Sequence, residues 1–239
     1  MHTIDQKSHR VWCQFAWGLL ALSLAFAIAA KSGFARHPKL RVACVGDSTT
    51  WGTYATRADG VTYPDCLAKL GRRKLQVHNF GVGSTTLLRQ SGRAWCDTGQ
   101  LERAIAFRPD VLVIMFGVNE LSHPDLLDDF LPDALWLVDQ FQSTNPGLDI
   151  LVATPTPFAP GDEKQGENTE LATKIIPALR QVAQIKGCRM VEINQEYPPT
   201  LAYLPDGVHP NAQGNRLIAE LVFNAITASI PQPCPPVPL

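Results

Sequence analysis

Leu40-Arg41-Val42-Ala43-Cys44-Val45-Gly46-Asp47-Ser48-Thr49 is the stretch whose reading decides the fold. Its first six residues are almost continuously apolar, which suits a strand covered on both faces. Gly46 and the small polar residues after it end the run in a turn. Four further runs of the same kind follow: Leu75 to Phe80, Val111 to Phe116, Ile150 to Ala153 and Met190 to Ile193. Among them, Leu101 to Phe107, Phe130 to Phe141, Leu171 to Ile185 and Ala212 to Ile226 carry apolar residues at helical spacing. In the last of these, Ile218, Leu221, Val222, Ala225 and Ile226 form one stripe, with Glu220 and Asn224 off it. Short strands alternating with helices predict a three-layer α/β/α domain with a central parallel sheet of about five strands.

A chain of 239 residues that is 45% hydrophobic and 18% charged is the size of one ordinary domain. Its formal net charge of -1 speaks against nucleic acid, whose phosphates call for a clustered basic face. Residues 1–30 read differently from the rest. Lys7, His9 and Arg10 precede an apolar run from Val11 to Ala30 broken only by Gln14, Gly18 and Ser23, the layout of an export signal. Ala25, Ala27, Ala29 and Ala30 offer cleavage sites, yet a run of about 20 residues also suffices for an uncleaved membrane anchor. Either reading puts a domain over 39–230 outside the cytoplasm, as a periplasmic, secreted or membrane-anchored protein. Residues 231–239 form a Pro-rich tail expected to be extended. With Cys13 removed, Cys44 reads as a buried strand thiol. Cys66, Cys96, Cys188 and Cys234 then allow three disulfide pairings, none selected by sequence.

Four blocks carry chemistry. Gly46-Asp47-Ser48-Thr49 lies at the end of the first strand, where open α/β sheets present ligand sites; as plain structure it is a turn that caps the next helix. Asp206-Gly207-Val208-His209-Pro210-Asn211, between the last strand and the last helix, brings a carboxylate and an imidazole into one loop. A serine hydroxyl that attacks needs a base, and the base needs a partner that fixes its tautomer. Asn79-Phe80-Gly81-Val82-Gly83-Ser84-Thr85-Thr86 and Gly117-Val118-Asn119-Glu120 follow the second and third strands. Main-chain N–H groups at glycines and an amide side chain suit the negative charge that develops in acyl transfer. Each block taken singly is equally consistent with turn chemistry.

Together, and in their order along the chain, the four blocks resemble the SGNH/GDSL hydrolase superfamily over residues 39 to 228. The resemblance implies a flavodoxin-like sheet, with Ser48 as nucleophile, His209 as general base and acid, and Asp206 as its orienting carboxylate. It implies an oxyanion hole made of the Ser48 N–H, the Asn119 side chain and an N–H from the Gly83-Ser84 turn. It implies a serine esterase with no cofactor and no metal, acting on a small-molecule or carbohydrate ester such as a sugar acetate. Lysophospholipids and thioesters are the competing substrates. An O-acyltransferase and a non-catalytic glycan-binding module are the competing functions. The chain departs from the family pattern at Ser84, where glycine is common, and at Glu120, where aspartate is usual.

Other conspicuous residues read blandly. Trp51, Trp95 and Trp136 are expected to pack, His78 and His123 lack a second ligand at metal spacing, and Asp47 is expected to hold the nucleophile turn. Arg89 and Arg93 are expected at the pocket mouth or in solvent, and the loop from Thr156 to Thr169 beside the pocket.

Overall fold

A computed structural model describes residues 39–161 and 166–228. The expected leader at 1–30 and the tail at 231–239, with Cys13 and Cys234, lie outside them. In chain order the elements are β1 (Leu40–Gly46), α1 (Ser48–Trp51), α2 (Tyr54–Ala58), α3 (Tyr63–Gly71), β2 (Leu75–Asn79) and α4 (Gln100–Ala106). There follow β3 (Val111–Met115), α5 (Phe130–Gln142), β4 (Asp149–Ala153), α6 (Ile176–Lys186), β5 (Arg189–Val191), α7 (Ile193–Glu196) and α8 (Ala212–Ala228).

All five strands are parallel, in the order β2-β1-β3-β4-β5. Side chains alternate between the two faces of a strand, and both faces are covered. Ala43, Val45, Leu112 and Ile114 face α4, α5 and α6, packing on Leu101, Phe130, Leu137 and Leu179. Val42, Cys44, Val113 and Met115 face α3 and α8, packing on Tyr63, Leu67, Ile218 and Val222. This double covering is why β1, β3 and β4 read as nearly unbroken apolar runs, whereas β2, at the sheet edge, alternates, with Gln76 and His78 exposed. Chain order reverses between β1 and β3, and the crevice at their C-terminal ends is where such sheets hold ligands.

The expected elements shift at their ends. The fifth strand is Arg189–Val191, because Ile193 already opens α7, where the Asn194 N–H donates to Thr154 Oγ1 at 2.9 Å. The helix expected from Leu171 to Ile185 follows an α-helical turn at Asn168–Glu170, passes through a π turn over Leu171–Ile175 and is α-helical again from Ile176. Pro177 has no N–H to donate back into that turn, which suits the change of ladder. The missed helix α3 had a readable signal. Thr62 and Asp65 form a reciprocal capping box with Pro64 in the first turn.

Cys44, Cys66, Cys96 and Cys188 carry free thiols. No disulfide therefore joins Cys66, Cys96 and Cys188, contrary to the expected framework. Cys66 packs on the α3/α8 side of the sheet, whereas Cys96 and Cys188 pack on the other.

Candidate active site

β1 ends in a turn that only glycine permits. A Cβ on Gly46 would run into the Thr50 side chain and the Met115 carbonyl. Asp47 then caps α1, its carboxylate accepting the Thr49 N–H at 2.8 Å. Burial pushes the Asp47 acid up to about 6, against the pull of the Thr49 N–H. Ser48 is the first residue of α1 and stands half-buried at the sheet's C-terminal edge.

The loop before α8 meets it there. His209 Nε2 lies 3.0 Å from Ser48 Oγ, and His209 Nδ1 lies 2.8 Å from Asp206 Oδ2. Asp206 Oδ1 accepts the main-chain N–H groups of Val208 (3.0 Å) and His209 (2.7 Å), so one carboxylate shapes the turn and faces the ring. Gly207, at φ +82°, supplies the left-handed residue this turn needs. Burial works to raise the Asp206 pKa, but the His209 and Val208 hydrogen bonds outweigh it and hold the acid below the ordinary carboxylate range. The turn is fixed on its far side by Asn211, which caps α8 by accepting the Gly214 N–H at 3.0 Å and donates to the Ala202 carbonyl at 2.7 Å.

The Asn79 to Thr86 and Gly117 to Glu120 blocks close the site. Asn79 donates to the Thr50 carbonyl at 2.8 Å and accepts the Gly81 N–H at 2.9 Å, drawing the loop after β2 against α1. A cleft of about 470 Å³ results, lined by Ser48, Trp51, Thr53, Gly83, Ser84 and His209 among others. Among the described residues, none accepts a hydrogen bond from the main-chain N–H of Ser48, Gly83 or Ser84. Asn119 donates one amide hydrogen to the Thr85 carbonyl at 2.9 Å, and an amide nitrogen carries a second.

Both departures from the family pattern have structural consequences. Ser84 sits at φ +59°, a left-handed conformation that favours glycine. Ser84→Gly should relieve that strain while loosening the unfolded chain, for a net gain of about 0.5 kcal/mol in urea denaturation. Glu120 is fully buried, and its Oε1 accepts the Leu87 N–H at 2.7 Å, tying the Asn119 turn to the loop after β2. Burial, helped by repulsion from Asp47, pushes the Glu120 acid up to about 8.

A carboxyl whose pKa is higher folded than unfolded holds its proton better in the native state. Its stabilising contribution is complete below the ordinary carboxylate range and is lost as pH rises toward about 8. The unfolding free energy from urea denaturation should therefore fall between pH 5 and pH 8 by on the order of a few kcal/mol more for the wild type than for Glu120→Gln. Equal falls would contradict this placement of the proton.

The tryptophans divide. Trp95 is buried with its Nε1 donating to the Phe80 carbonyl at 2.8 Å, and Trp136 is covered by the Arg89 guanidinium at 5.0 Å. Trp51 instead lines the cleft, contrary to the packing role expected of it. Arg57 lies over its ring at 4.5 Å and donates to its carbonyl at 2.9 Å. A Cβ on Gly83 would come within 3.7 Å of the indole. No local sequence signal marked this wall, which forms only when the loop after β2 meets α1. Arg89 does not line the cleft; its side chain is 43% exposed to solvent while pairing with the buried Asp133 at 2.6 Å. His78 stacks on Phe107 at 4.4 Å. In the loop expected beside the pocket, Asn168 bonds both the N–H and the carbonyl of Phe158. Among the described residues, that loop adds nothing to the cleft lining.

Comparison with known proteins gives the class first. A lipase/acylhydrolase from Enterococcus faecalis is 20% identical, with a TM-score of 0.63 over 79% of this chain and 96% of that one. An acetyl xylan esterase, AlAXEase, is 21% identical, with a TM-score of 0.60 over 78% and 100% of the two chains. Both share the three-layer fold of this chain. The chain belongs to the GDSL-like lipase/acylhydrolase family, whose family model matches residues 44–217. An acetylxylan esterase of Xylanibacter ruminicola is 28% identical over 214 residues, 80% of this chain. The matched region is 44% of that relative, so the chain spans less than half its length.

Proposed function

We propose that this protein is an exported serine esterase that removes short acyl groups, acetyl above all, from carbohydrate esters. The observation that carries the reading is the string Asp206–His209–Ser48, with links of 2.8 and 3.0 Å, at the mouth of a cleft. His209 takes the Ser48 proton as Oγ attacks the ester carbonyl. The oxyanion forms against the N–H groups of Ser48 and the Gly83-Ser84 turn, with the free amide hydrogen of Asn119 as a further donor. His209 then gives its proton to the leaving alcohol, and water activated by the same ring clears the acyl-enzyme. Export rests on the basic residues and apolar run before Ala30.

Two features favour a short acyl group on a sugar: the acetylxylan esterase relative and the Trp51 wall held beside Ser48 by Arg57. Hydrolysis of acetyl through octanoyl nitrophenyl esters, with acetate release from acetylated xylan, tests the reading. Acetyl esters should be cleaved fastest, and preference for octanoyl esters would overturn it. Trp51→Ala should raise the octanoyl-to-acetyl ratio of kcat/KM by about 10-fold, the worth of a few methylenes admitted to an apolar pocket. An unchanged ratio would remove Trp51 from the account of specificity.

A further inference from the structure

The near-neutral charge of the chain conceals a local segregation. Lys39, Lys69, Arg72, Arg73, Lys74 and Arg108 are all exposed and gather at the N-terminal edge of β1, β2 and β3. The Leu40 N–H donates to the Lys74 carbonyl at 2.8 Å, which sets Lys39 beside Lys74. Lys69 and Leu70 belong to the last turn of α3, and Arg108 lies between α4 and β3. Among the described residues, the Lys and Arg ion pairs involve Arg89, Arg180, Lys186 and Arg189, and none of these six.

Four acids lie nearby. Asp110 accepts the Arg41 N–H at 2.7 Å, Asp65 is committed to the Thr62 cap, Asp59 shares a groove with Lys69 and Arg72, and Glu220 shares another with Lys69, Leu70 and Arg72. The cations therefore outnumber them. At the opposite edge, where Ser48 and His209 meet, the turn Pro124–Asp129 exposes Asp125, Asp128 and Asp129, while Arg57 is held on Trp51 and Arg89 is paired with Asp133.

We propose that this cationic edge docks on anionic phospholipid headgroups and holds the domain with its site edge turned away from the bilayer. Basic residues near an anionic leaflet are drawn to it within about a Debye length. Two observations favour a lipid surface over a soluble polyanion. Leu70, 41% exposed, offers an apolar contact within the patch, and Lys39 follows in sequence the segment that contains the Val11 to Ala30 run. With the edges opposed, a cleft facing outward meets a polymeric ester that cannot approach the membrane closely.

The test uses the full chain reconstituted with vesicles of phosphatidylcholine, with and without phosphatidylglycerol. Amine-reactive labelling is read by mass spectrometry at Lys69, Lys74 and Lys174, the last being an exposed residue near the end of the turn leading into α6. In anionic vesicles, labelling of Lys69 and Lys74 should fall by about 5-fold, recover in about 1 M salt, and leave Lys174 unchanged. The combined variant Arg72→Glu, Arg73→Glu and Lys74→Glu should lose the protection of Lys69 while keeping its rate on soluble esters. Equal labelling in both vesicle types would overturn the proposal. Protection by heparin but not by anionic vesicles would also overturn it, by assigning the patch to a soluble polyanion.

Discussion

Ser48→Ala should lower kcat for nitrophenyl acetate by about 10⁴-fold or more, with little change in the urea midpoint. The attacking oxygen is removed outright, and no neighbouring group replaces it. Thr49 and Thr50 are buried behind the turn, and the ring of His209 is directed at the Ser48 hydroxyl. The Asp47 cap and the Gly46 turn remain in place, since both are made by main chain or by side chains other than Ser48. Circular dichroism should therefore be unchanged while acetate release drops to the level left by the oxyanion donors alone. A variant that kept most of the wild-type rate would remove Ser48 from the mechanism.

Asp206→Asn should cost about 10³-fold in kcat, with KM nearly unchanged. Asparagine keeps an oxygen for the Val208 and His209 N–H groups, so the turn survives. Its NH₂ would then face His209 Nδ1, which in the native protein meets a carboxylate oxygen at 2.8 Å. A donor there favours the tautomer with the proton on Nε2, leaving no lone pair to accept the Ser48 proton. The Asp206 side chain is 54% exposed, so its charge is partly screened, and the tautomer is the larger part of the effect. Asp206→Glu, which keeps the acceptor at a different reach, should recover part of the rate. Equal loss in the two variants would point to turn geometry instead of proton placement.

Much of this arrangement was legible in the sequence because the sheet is covered on both faces. Val42 through Val45 and Val111 through Phe116 are apolar at every position, and such runs can be found without knowing their neighbours. Strand ends were less legible, since Ile193 is apolar in either state and the turn into α7 is fixed by the Asn194 N–H donating to Thr154 Oγ1, 40 residues away in sequence. The motif residues could be named from four short blocks, and the structure brings His209 within hydrogen-bond reach of both Ser48 and Asp206.

What sequence could not supply depends on contacts between blocks. Trp51 becomes a cleft wall only because Asn79 draws the loop after β2 against α1. Arg89, conspicuous near the third block, is taken up by Asp133, 44 residues away. The net charge of -1 is a sum, and a sum carries no information about which edge of the sheet holds the cations.

The central claim is that Ser48 forms the acyl-enzyme. Titration with a fluorophosphonate, followed by peptide mapping, tests it most directly. The account predicts one adduct per chain, on Ser48, with activity falling in proportion to labelling and no adduct in Ser48→Ala. Complete inactivation with the adduct on another residue, or full activity in protein labelled at Ser48, would contradict it.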